Sequence, residues 1–348
     1  MPSKDELKIL QALPLELKVR KTQERIREWV NRYGEDGVYV SFSGGKDSTV
    51  LLHIVREMYP SVEAVFCDTG LEFPEIRQFV KSFDNVTILH PKMRFDEVIR
   101  KYGYPFISKE VSQAIAQGKK ALKSGKRTAK LKKMQGELLD KNGELSKYNH
   151  KVYEPLMYVD FNISDRCCDV MKKAPLHNDE KVKNKFAITA ELASESLLRK
   201  QAWLKKGCNG FDMKYPKSTP MSFWLEQDIL QYIKQNNIQI ASVYGDVVYG
   251  NKTEMYDNVI CESVCPLCTT GENRTGCIFC AYGQHSFVNK GETNFQRLKR
   301  THPRQYDYCM NGGAYDIDGL WKPDKNGLGM KHCIDVLNDI YGKDFIRY

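Results

Sequence analysis

The sequence of 348 residues lacks any apolar run close to the ~18–20 residues that a membrane-spanning helix requires. Its first residues, Met1-Pro2-Ser3-Lys4-Asp5-Glu6, contain no apolar segment of the kind found in signal peptides. We therefore expect a cytoplasmic protein with no membrane partner. Because 41% of the residues are hydrophobic, the composition suits a folded chain with a substantial core.

Metal-binding histidine patterns are also absent. The seven histidines show no H-x3-H or H-E-x-x-H spacing, and no Ser/His/Asp or paired-carboxylate arrangement stands out. Eleven cysteines are present instead, and several are clustered as C-x-x-C, which in a reducing compartment indicates metal ligation rather than disulfides. The net charge of +9 gives a mild bias toward polyanionic partners, a class that includes both nucleotides and nucleic acids.

Segments with strand character alternate with helical ones. Apolar residues recur at helical spacing from Leu7 to Tyr33, and Gly34 follows where a helix C-cap belongs. A helix is predicted again from Ser48 to Tyr59, and the predicted strands are Val38–Phe42, Val62–Cys67, Val86–Leu89 and Phe186–Thr189. This alternation predicts an α/β fold with a doubly wound parallel sheet.

Composition divides the chain into three predicted parts. A helical lead-in covers residues 1–36, a nucleotide-binding domain covers 37–240, and a cysteine-rich, loop-rich module covers 241–348. A basic helical insertion at 109–150 interrupts the domain, and its bases between 119 and 133 are Lys119, Lys120, Lys123, Lys126, Arg127, Lys130, Lys132 and Lys133. Such a run binds a nucleic-acid backbone or forms a solvated helix face, and the position of the segment between strands also allows a flexible flap over the nucleotide site. The sequence leaves these interpretations open.

One loop carries the clearest chemical signal. Ser43-Gly44-Gly45-Lys46-Asp47-Ser48 follows a predicted strand and opens a helix, so its backbone N–H groups can converge on an anion at the positive end of the helix dipole. The spacing is not that of a Walker A loop. The alternative is a tight glycine turn in which Asp47 or Ser48 caps the helix.

The residues of this loop match the signature SGGxDS, and Cys67-Asp68-Thr69-Gly70-Leu71-Glu72-Phe73-Pro74-Glu75 looks like a DTGxxFPE motif. In both motifs the sequence resembles the phosphoadenylylsulfate (PAPS) reductase-like family of the PP-loop, or adenine nucleotide alpha-hydrolase, superfamily. The resemblance implies a PP-loop ATP pyrophosphatase-like fold. It also implies that Ser43–Ser48, Asp68, Thr69, Gly70 and Glu72 hold ATP or another adenylyl nucleotide, with Mg²⁺ on the phosphates.

Two more segments are similar to the same family. In Thr189–Arg199, the resemblance implies that Arg199 reaches the nucleotide phosphates. Cys167–Leu176 resembles the CCxxRKxxPL motif of iron–sulfur adenylylsulfate (APS) reductases, with Met171 where arginine is usual. The implied catalytic residues are Lys46, Asp47, Lys172 and Arg199.

Four cysteines fit an iron–sulfur cluster. Cys167 and Cys168 are adjacent, and Cys277 and Cys280 form the GCxxC half of the family arrangement, so together they supply the ligands of a [4Fe–4S] cluster. The alternative is a zinc site made by Cys265, Cys268, Cys277 and Cys280. Only the cluster gives a role to the 167–168 pair.

Three functions remain open. The first is cleavage of ATP between the α and β phosphates to adenylylate an acceptor, with sulfur transfer from an unidentified donor as one outcome. The second is thioredoxin-dependent reduction of APS or PAPS, although the ECGLH-like motif of those reductases is absent and Cys333 is the nearest local candidate. The third is a non-catalytic nucleotide-binding module of a nucleic-acid complex. The sequence leaves homo-oligomer formation open.

Overall fold

The structure is a computed structural model that describes residues 2–250, 266–287 and 291–348. Contacts within the chain define two units, and each is built from several chain segments. The first consists of Met1–Asp68, Glu72–His90 and Leu176–Thr275, and the second consists of Thr69–Leu71, Pro91–Pro175 and Gly276–Tyr348. The domain bounds expected from composition stay a prediction.

A six-stranded sheet organises the first unit. In spatial order its strands are Val86–Leu89, Glu63–Cys67, Val38–Ser41, Phe186–Ile188, Lys217–Ser218 and Asn209–Gly210. All neighbours are parallel except the last pair, which is antiparallel. The predicted mixed α/β fold with a mainly parallel sheet is therefore confirmed.

The strand order of the sheet reverses at Val38–Ser41. Chain order runs from this strand outward through Glu63–Cys67 to one edge, and then returns to Phe186–Ile188 on the other side. The order of strands thus reverses at Val38–Ser41, and open parallel sheets bind ligands outside the carboxyl ends of their strands at such a point. Tyr39 packs with Val65 and Ala187 in the core, so the strand is fixed on both sides.

Helices complete the first unit, and another antiparallel strand pair is formed by Val247–Tyr249 with Leu267–Thr269. The helices are Lys4–Gln11, Leu15–Tyr33, Lys46–Met58, Pro74–Lys81, Leu197–Lys206 and Glu226–Gln235, with short 3-10 turns at Ala193–Glu195 and Ser242–Tyr244. The helical lead-in is two helices rather than one continuous run. Pro14 separates them, because proline has no N–H and clashes with the carbonyl of an α-helical turn before it.

The second unit is mainly helical. Its α-helices are Phe95–Tyr102, Lys109–Lys123, Ala129–Gln135, Arg166–Cys168, Asn294–Thr301, Pro303–Met310 and Met330–Tyr341, with 3-10 turns at Lys151–Met157 and Gln284–Phe287. Two short strand pairs are present: Phe106–Ile107 is parallel to Ala281–Tyr282, and Ala314–Tyr315 is antiparallel to Trp321–Lys322. Helix Ala174–Lys183 begins in this unit and ends in the first.

In the part of the chain that the structure describes, no helix is both long and apolar enough to cross a membrane.

Candidate functional site

The glycine loop connects the central strand to a helix as predicted. Helix Lys46–Met58 begins directly after its N-cap residue Gly45. No side-chain hydrogen bond caps this end of the helix. The first N–H groups of an α-helix have no acceptor within the helix, so those of Lys46, Asp47 and Ser48 point toward the loop. Ser43 and Ser48 shape the loop from within, since their Oγ atoms lie 3.0 Å apart and the N–H of Ser43 donates to Ser48 Oγ at 3.2 Å.

Gly44 is required by the geometry of the loop. Its φ of +71° lies in the left-handed region, and a Cβ atom there would lie 2.8 Å from methyl carbons of both Ile76 and Val80. Real Cβ contacts do not come this close, so any side chain would push the loop away from helix Pro74–Lys81. The loop conformation and its packing therefore both depend on glycine.

Lys46 is buried beside the loop, with 5% of its surface exposed. Its Nζ lies 3.2 Å from Glu226 Oε1 and 3.5 Å from Asn273 Oδ1, and it lies 5.5 Å from the ring centre of Tyr244. The Tyr244 hydroxyl hydrogen-bonds with Thr275 Oγ1. A charged amine thus stands at the start of the loop helix with one carboxylate partner.

Two arginines add positive charge near the same loop. Arg199 and Arg274 both form ion pairs with Glu195. Burial raises the pKa of Asp47, while the charges of Lys46, Arg274 and Arg199 act in the opposite direction, which shows that all three cations lie near this carboxyl group. The arrangement can hold a polyanion such as a nucleotide's phosphates by backbone N–H groups and three cations.

Asp68 follows strand Glu63–Cys67 and is 5% exposed. Its Oδ2 accepts hydrogen bonds from Nε and an Nη atom of Arg77, at 3.0 and 2.8 Å, and its carbonyl oxygen lies 3.2 Å from Nδ1 of His90. Glu72, also predicted to hold the nucleotide, is buried in the same unit at 8% exposure. Asp68 therefore has a fixed orientation at the carboxyl end of its strand.

Thr69 and Gly70 lie in the second unit. Thr69 Oγ1 accepts a hydrogen bond from the N–H of Leu71 at 3.2 Å, and Gly70 has a φ of +75°. Leu71 in turn accepts a hydrogen bond from the N–H of Ile278, which precedes Cys280 by two residues. The DTG motif is thus a tight turn whose backbone is tied to the C-x-x-C segment.

Cys167 and Cys168 lie on a distorted helix in the second unit. Helix Arg166–Cys168 continues as a π-helical turn, Asp169–Lys173, before helix Ala174–Lys183 begins. Pro175 provides the physical reason, because it cannot donate the hydrogen bond that an α-helix would direct to Met171. Turns of this kind are frequent at functional sites.

The thiol groups of the four predicted cluster cysteines lie near one another. The Cys167 and Cys168 sulfur atoms are 4.0 Å apart. The Cys168 contact, burial and the nearby Cys280 and Cys277 together raise the pKa of Cys167. Burial and the neighbouring Cys277 raise the pKa of Cys280 to about 12. The thiols of Cys167, Cys168, Cys277 and Cys280 thus influence one another's ionisation.

The pKa of Cys168 is lowered, in contrast to those of Cys167 and Cys280. The hydrogen bond from Cys167 and the charges of Lys109 and Lys172 lower its pKa to about 6, against the opposing effect of burial. Lys172 was predicted to be catalytic, and the structure places it beside Cys168, in the second unit. Its position suits stabilisation of a thiolate.

The alternative zinc ligands are only partly described. Cys268 is exposed on strand Leu267–Thr269 of the first unit, whereas Cys277 and Cys280 belong to the second unit, and Cys265 lies outside the described residues. Within residues 2–250, 266–287 and 291–348, no three His, Cys, Asp or Glu side chains are grouped closely enough to hold a metal ion. Both metal assignments stay predictions.

Cys333 is the candidate that the sequence offers for the cysteine of the reductase motif, which is itself absent. It lies on helix Met330–Tyr341 and is fully buried, at 0% exposure. Burial and the charge of Asp160 raise its pKa well above the usual thiol value, against a hydrogen bond with Tyr104. A buried, protonated thiol of this kind does not act as a nucleophile.

Sequence patterns did not identify several residues around the loop. Glu226 and Asn273 contact Lys46, and the charge of Arg274, which pairs with Glu195, acts on Asp47; all four residues come from distant parts of the chain. Arg77 was identifiable in principle, because it lies in the first turn of the helix that follows Asp68, where its side chain can reach back to the strand end.

Comparison with known proteins supports the resemblance. Residues 37–138 match the model of the phosphoadenosine phosphosulfate reductase domain. An adenosine 5'-phosphosulfate reductase of Bacillus cereus is 31% identical over 84 residues, which are 22% of this chain and 36% of that protein. A phosphoadenosine 5'-phosphosulfate reductase of Xanthomonas campestris is 33% identical over 78 residues, 22% of this chain and 31% of that protein.

An uncharacterised protein of Methanocaldococcus jannaschii is 38% identical over 73 residues, 20% of this chain and 18% of that protein. The chain thus spans 18–36% of the length of these curated relatives. A solved PAPS reductase from Candida auris in complex with phosphate covers 70% of this chain and 91% of its own, with a TM-score of 0.36 and 15% sequence identity.

Proposed function

We propose that the chain is an enzyme of the PAPS reductase-like family of the PP-loop superfamily and that it cleaves ATP between the α and β phosphates. The match of residues 37–138 to the phosphoadenosine phosphosulfate reductase domain supports this proposal. ATP enters as its Mg²⁺ complex. A nucleophilic atom of the acceptor forms a bond to the α-phosphorus, the bond to the bridging oxygen breaks, and its electron pair leaves with pyrophosphate. The observation that carries this proposal is the group of three cations, Lys46, Arg199 and Arg274, around the start of helix Lys46–Met58.

The loop stabilises the leaving group in this scheme. Pyrophosphate gains negative charge as the bond breaks, and fixed N–H donors and cations that already point at that charge lower the barrier without reorganising. In the ligand-free chain, Glu226 and Glu195 hold the cations. The phosphates replace these carboxylates when the nucleotide binds, so both glutamates position the cations before binding.

The four grouped thiols of Cys167, Cys168, Cys277 and Cys280 fit a [4Fe–4S] cluster. Each thiolate of such a cluster binds a different iron, so the sulfur atoms need not converge on one point. Cys168 ionises below neutral pH, as a ligand must, and Lys109 and Lys172 balance the negative charge. A bound cluster supplies one-electron transfer or a site for sulfide, which would make the adenylylated acceptor a substrate for sulfur transfer.

A second candidate function is thioredoxin-dependent reduction of APS or PAPS. The relatives from Bacillus cereus and Xanthomonas campestris carry these names, and that is the observation that favours it. Such reductases attack the sulfonate sulfur with a thiolate in a C-terminal motif. Cys333 is the thiol that the sequence suggests for this role. Its complete burial and raised pKa argue against the reductase function.

Product analysis separates the two functions. The purified protein is incubated with Mg²⁺ and ATP, and separately with APS or PAPS plus reduced thioredoxin. We expect AMP and pyrophosphate from ATP, with water as the acceptor when no other nucleophile is present, and no sulfite. Lys46→Ala should abolish the products, and Lys4→Ala, at an exposed position on the first helix, is the control. Sulfite, released with AMP from APS or adenosine 3',5'-bisphosphate from PAPS as thioredoxin is oxidised, without pyrophosphate from ATP, would establish the second function. Nucleotide binding without turnover would contradict both.

A further inference from the structure

Helices Lys109–Lys123 and Ala129–Gln135, with the turn between them, form what we call the basic helical hairpin. Some of its lysines have partners within the fold, and others have no carboxylate partner in the described part of the chain. Between residues 119 and 133 it carries eight bases and no acid. Some of these bases are used within the fold. Lys133 pairs with Glu110, Arg127 pairs with Glu137, and Lys130 donates to Gln113 Oε1 at 3.1 Å.

Lys119 is used in a different way. Its Nζ donates to the carbonyl oxygens of Val159 and Phe161, at 3.3 Å each, which anchors the hairpin to the segment after 3-10 turn Lys151–Met157. Burial and the nearby charge of Lys123 lower the pKa of Lys119. The charges of Lys119 and Lys123 therefore repel each other, while the charge of Asp160 acts on Lys119 in the opposite direction.

Four lysines remain directed to solvent: Lys120, Lys123, Lys126 and Lys132 are exposed, and no carboxylate among the described residues pairs with them. An ordinary solvated helix face intersperses acids with bases at i,i+4 spacing, because opposite charges stabilise the helix and like charges destabilise it. Between residues 119 and 133 this hairpin has no acid, so no such pairing within the run offsets the repulsion between its lysines. A polyanionic partner would remove it.

An exposed aromatic ring lies on the segment that Lys119 of the hairpin contacts. Tyr158 is 61% exposed and directly precedes Val159, whose carbonyl oxygen binds Lys119. Most of the hairpin's large apolar side chains are buried against the fold rather than available to a lipid surface: Ile115, Leu131 and Met134 are buried, and Leu122 is 40% exposed. Cationic side chains beside an exposed aromatic ring bind the backbone and the bases of single-stranded nucleic acid together.

We propose that the exposed lysines of the basic helical hairpin, with Tyr158, form a binding surface for single-stranded nucleic acid. Each lysine that neutralises a phosphate releases counterion, so the affinity falls as salt rises. Stacking of a base on Tyr158 adds affinity that salt does not affect. The proposal does not depend on the reaction at the glycine loop.

The test uses the full chain and a fluorescein-labelled single strand of roughly 16 nucleotides, the upper site size typical of such surfaces. Fluorescence anisotropy gives the affinity over a range of salt concentrations. We expect the fourfold variant Lys120→Gln/Lys123→Gln/Lys126→Gln/Lys132→Gln to bind more than about tenfold more weakly. The slope of log affinity against log salt should become shallower by roughly 3, from about 0.7 per lost phosphate contact.

A variant with the same net charge is the matched control. Lys4, Lys8, Lys325 and Lys343 are also exposed, and changing these four to glutamine lowers the net charge equally. This control should keep the wild-type slope. Tyr158→Ala should weaken binding with an unchanged slope, and Tyr158→Phe should retain the affinity.

Equal losses in the two fourfold variants would overturn the proposal, because net charge alone would then explain the binding. Binding to phosphatidylserine vesicles, with none to the oligonucleotide, would overturn it in favour of a lipid surface. ATP turnover without nucleic acid should be the same in all these variants, so failure of this proposal is distinguishable from failure of the proposed reaction.

Discussion

The Nζ atom of Lys46 lies 3.2 Å from Oε1 of Glu226, although the two residues are 180 positions apart in the chain. Lys46 is 5% exposed and the Glu226 side chain is 40% exposed, so the carboxylate is the partner that can move away. The pair holds the lysine in place at the glycine loop, and in the proposed function a phosphate of the nucleotide takes the place of the carboxylate.

This pair can be tested by removing each partner. Glu226→Gln should tighten ATP binding by roughly two- to fivefold, because the phosphates no longer compete with a partly exposed ion pair worth ~0.2–1 kcal/mol. Lys46→Ala should weaken ATP binding by more than about tenfold, since the charge itself is lost. Isothermal titration calorimetry with ATP measures both. Weaker binding in Glu226→Gln would mean that the carboxylate takes part in holding the nucleotide.

Gly44→Ala tests whether the loop needs glycine for its packing as well as for its φ. Gly34 is the matched control, because its φ is +80° and a Cβ there would meet nothing within 4 Å. Both changes cost about 1 kcal/mol of backbone strain, but only Gly44→Ala adds the clash with Ile76 and Val80. Urea unfolding should show the larger loss of stability in Gly44→Ala. Equal losses of stability would show that helix Pro74–Lys81 moves to accommodate the added methyl group at no cost in the free energy of unfolding.

Cys333 should be inert in the folded protein. Its thiol is fully buried with a raised pKa, whereas Cys268 is exposed. Maleimide labelling followed by peptide mass analysis should therefore modify Cys268 in the folded protein, and Cys333 only in urea. Cys333→Ala should lower stability through the small cavity but leave ATP turnover unchanged. Rapid labelling of native Cys333 would revive it as a nucleophile.

The metal assignment is tested by composition and colour. Protein purified without oxygen should contain about four irons per chain and absorb in the visible range. Cys167→Ser should remove most of the iron, whereas Cys268→Ser should not. Cys208→Ser is a control at a buried thiol outside the group. Colourless protein with zinc, lost in Cys268→Ser, would establish the alternative ligand set.

The local parts of the site were predictable from sequence, and the long-range parts were not. Strand Val86–Leu89 was predicted residue for residue, and the strand, glycine loop and helix around Ser43–Ser48 were predicted within two residues, because apolar runs and glycines determine them locally. The two-residue strand Asn209–Gly210 was not found, because only its pairing partner makes it a strand.

The same limit applies to charges. The spacing of the lysines from 119 to 133 gives no sign that Lys119 binds two carbonyl oxygens or that Lys133 pairs with Glu110, since both contacts depend on how the hairpin packs. Likewise, Arg274 lies 75 positions from Arg199 in sequence, and only folding brings both to Glu195. A motif predicts which residues bind phosphate, but it does not predict which other residues of the chain hold those residues in position.

The position of bond cleavage tests the account most directly. ATP labelled at the α phosphate and, separately, at the γ phosphate is incubated with wild-type protein, Lys46→Ala and Cys333→Ala, and the products are separated. We predict that the α label appears in AMP or an adenylylated acceptor and the γ label in pyrophosphate, in equal amounts, for wild type and Cys333→Ala but not for Lys46→Ala. The γ label in inorganic phosphate, with the α label in ADP, would contradict the account.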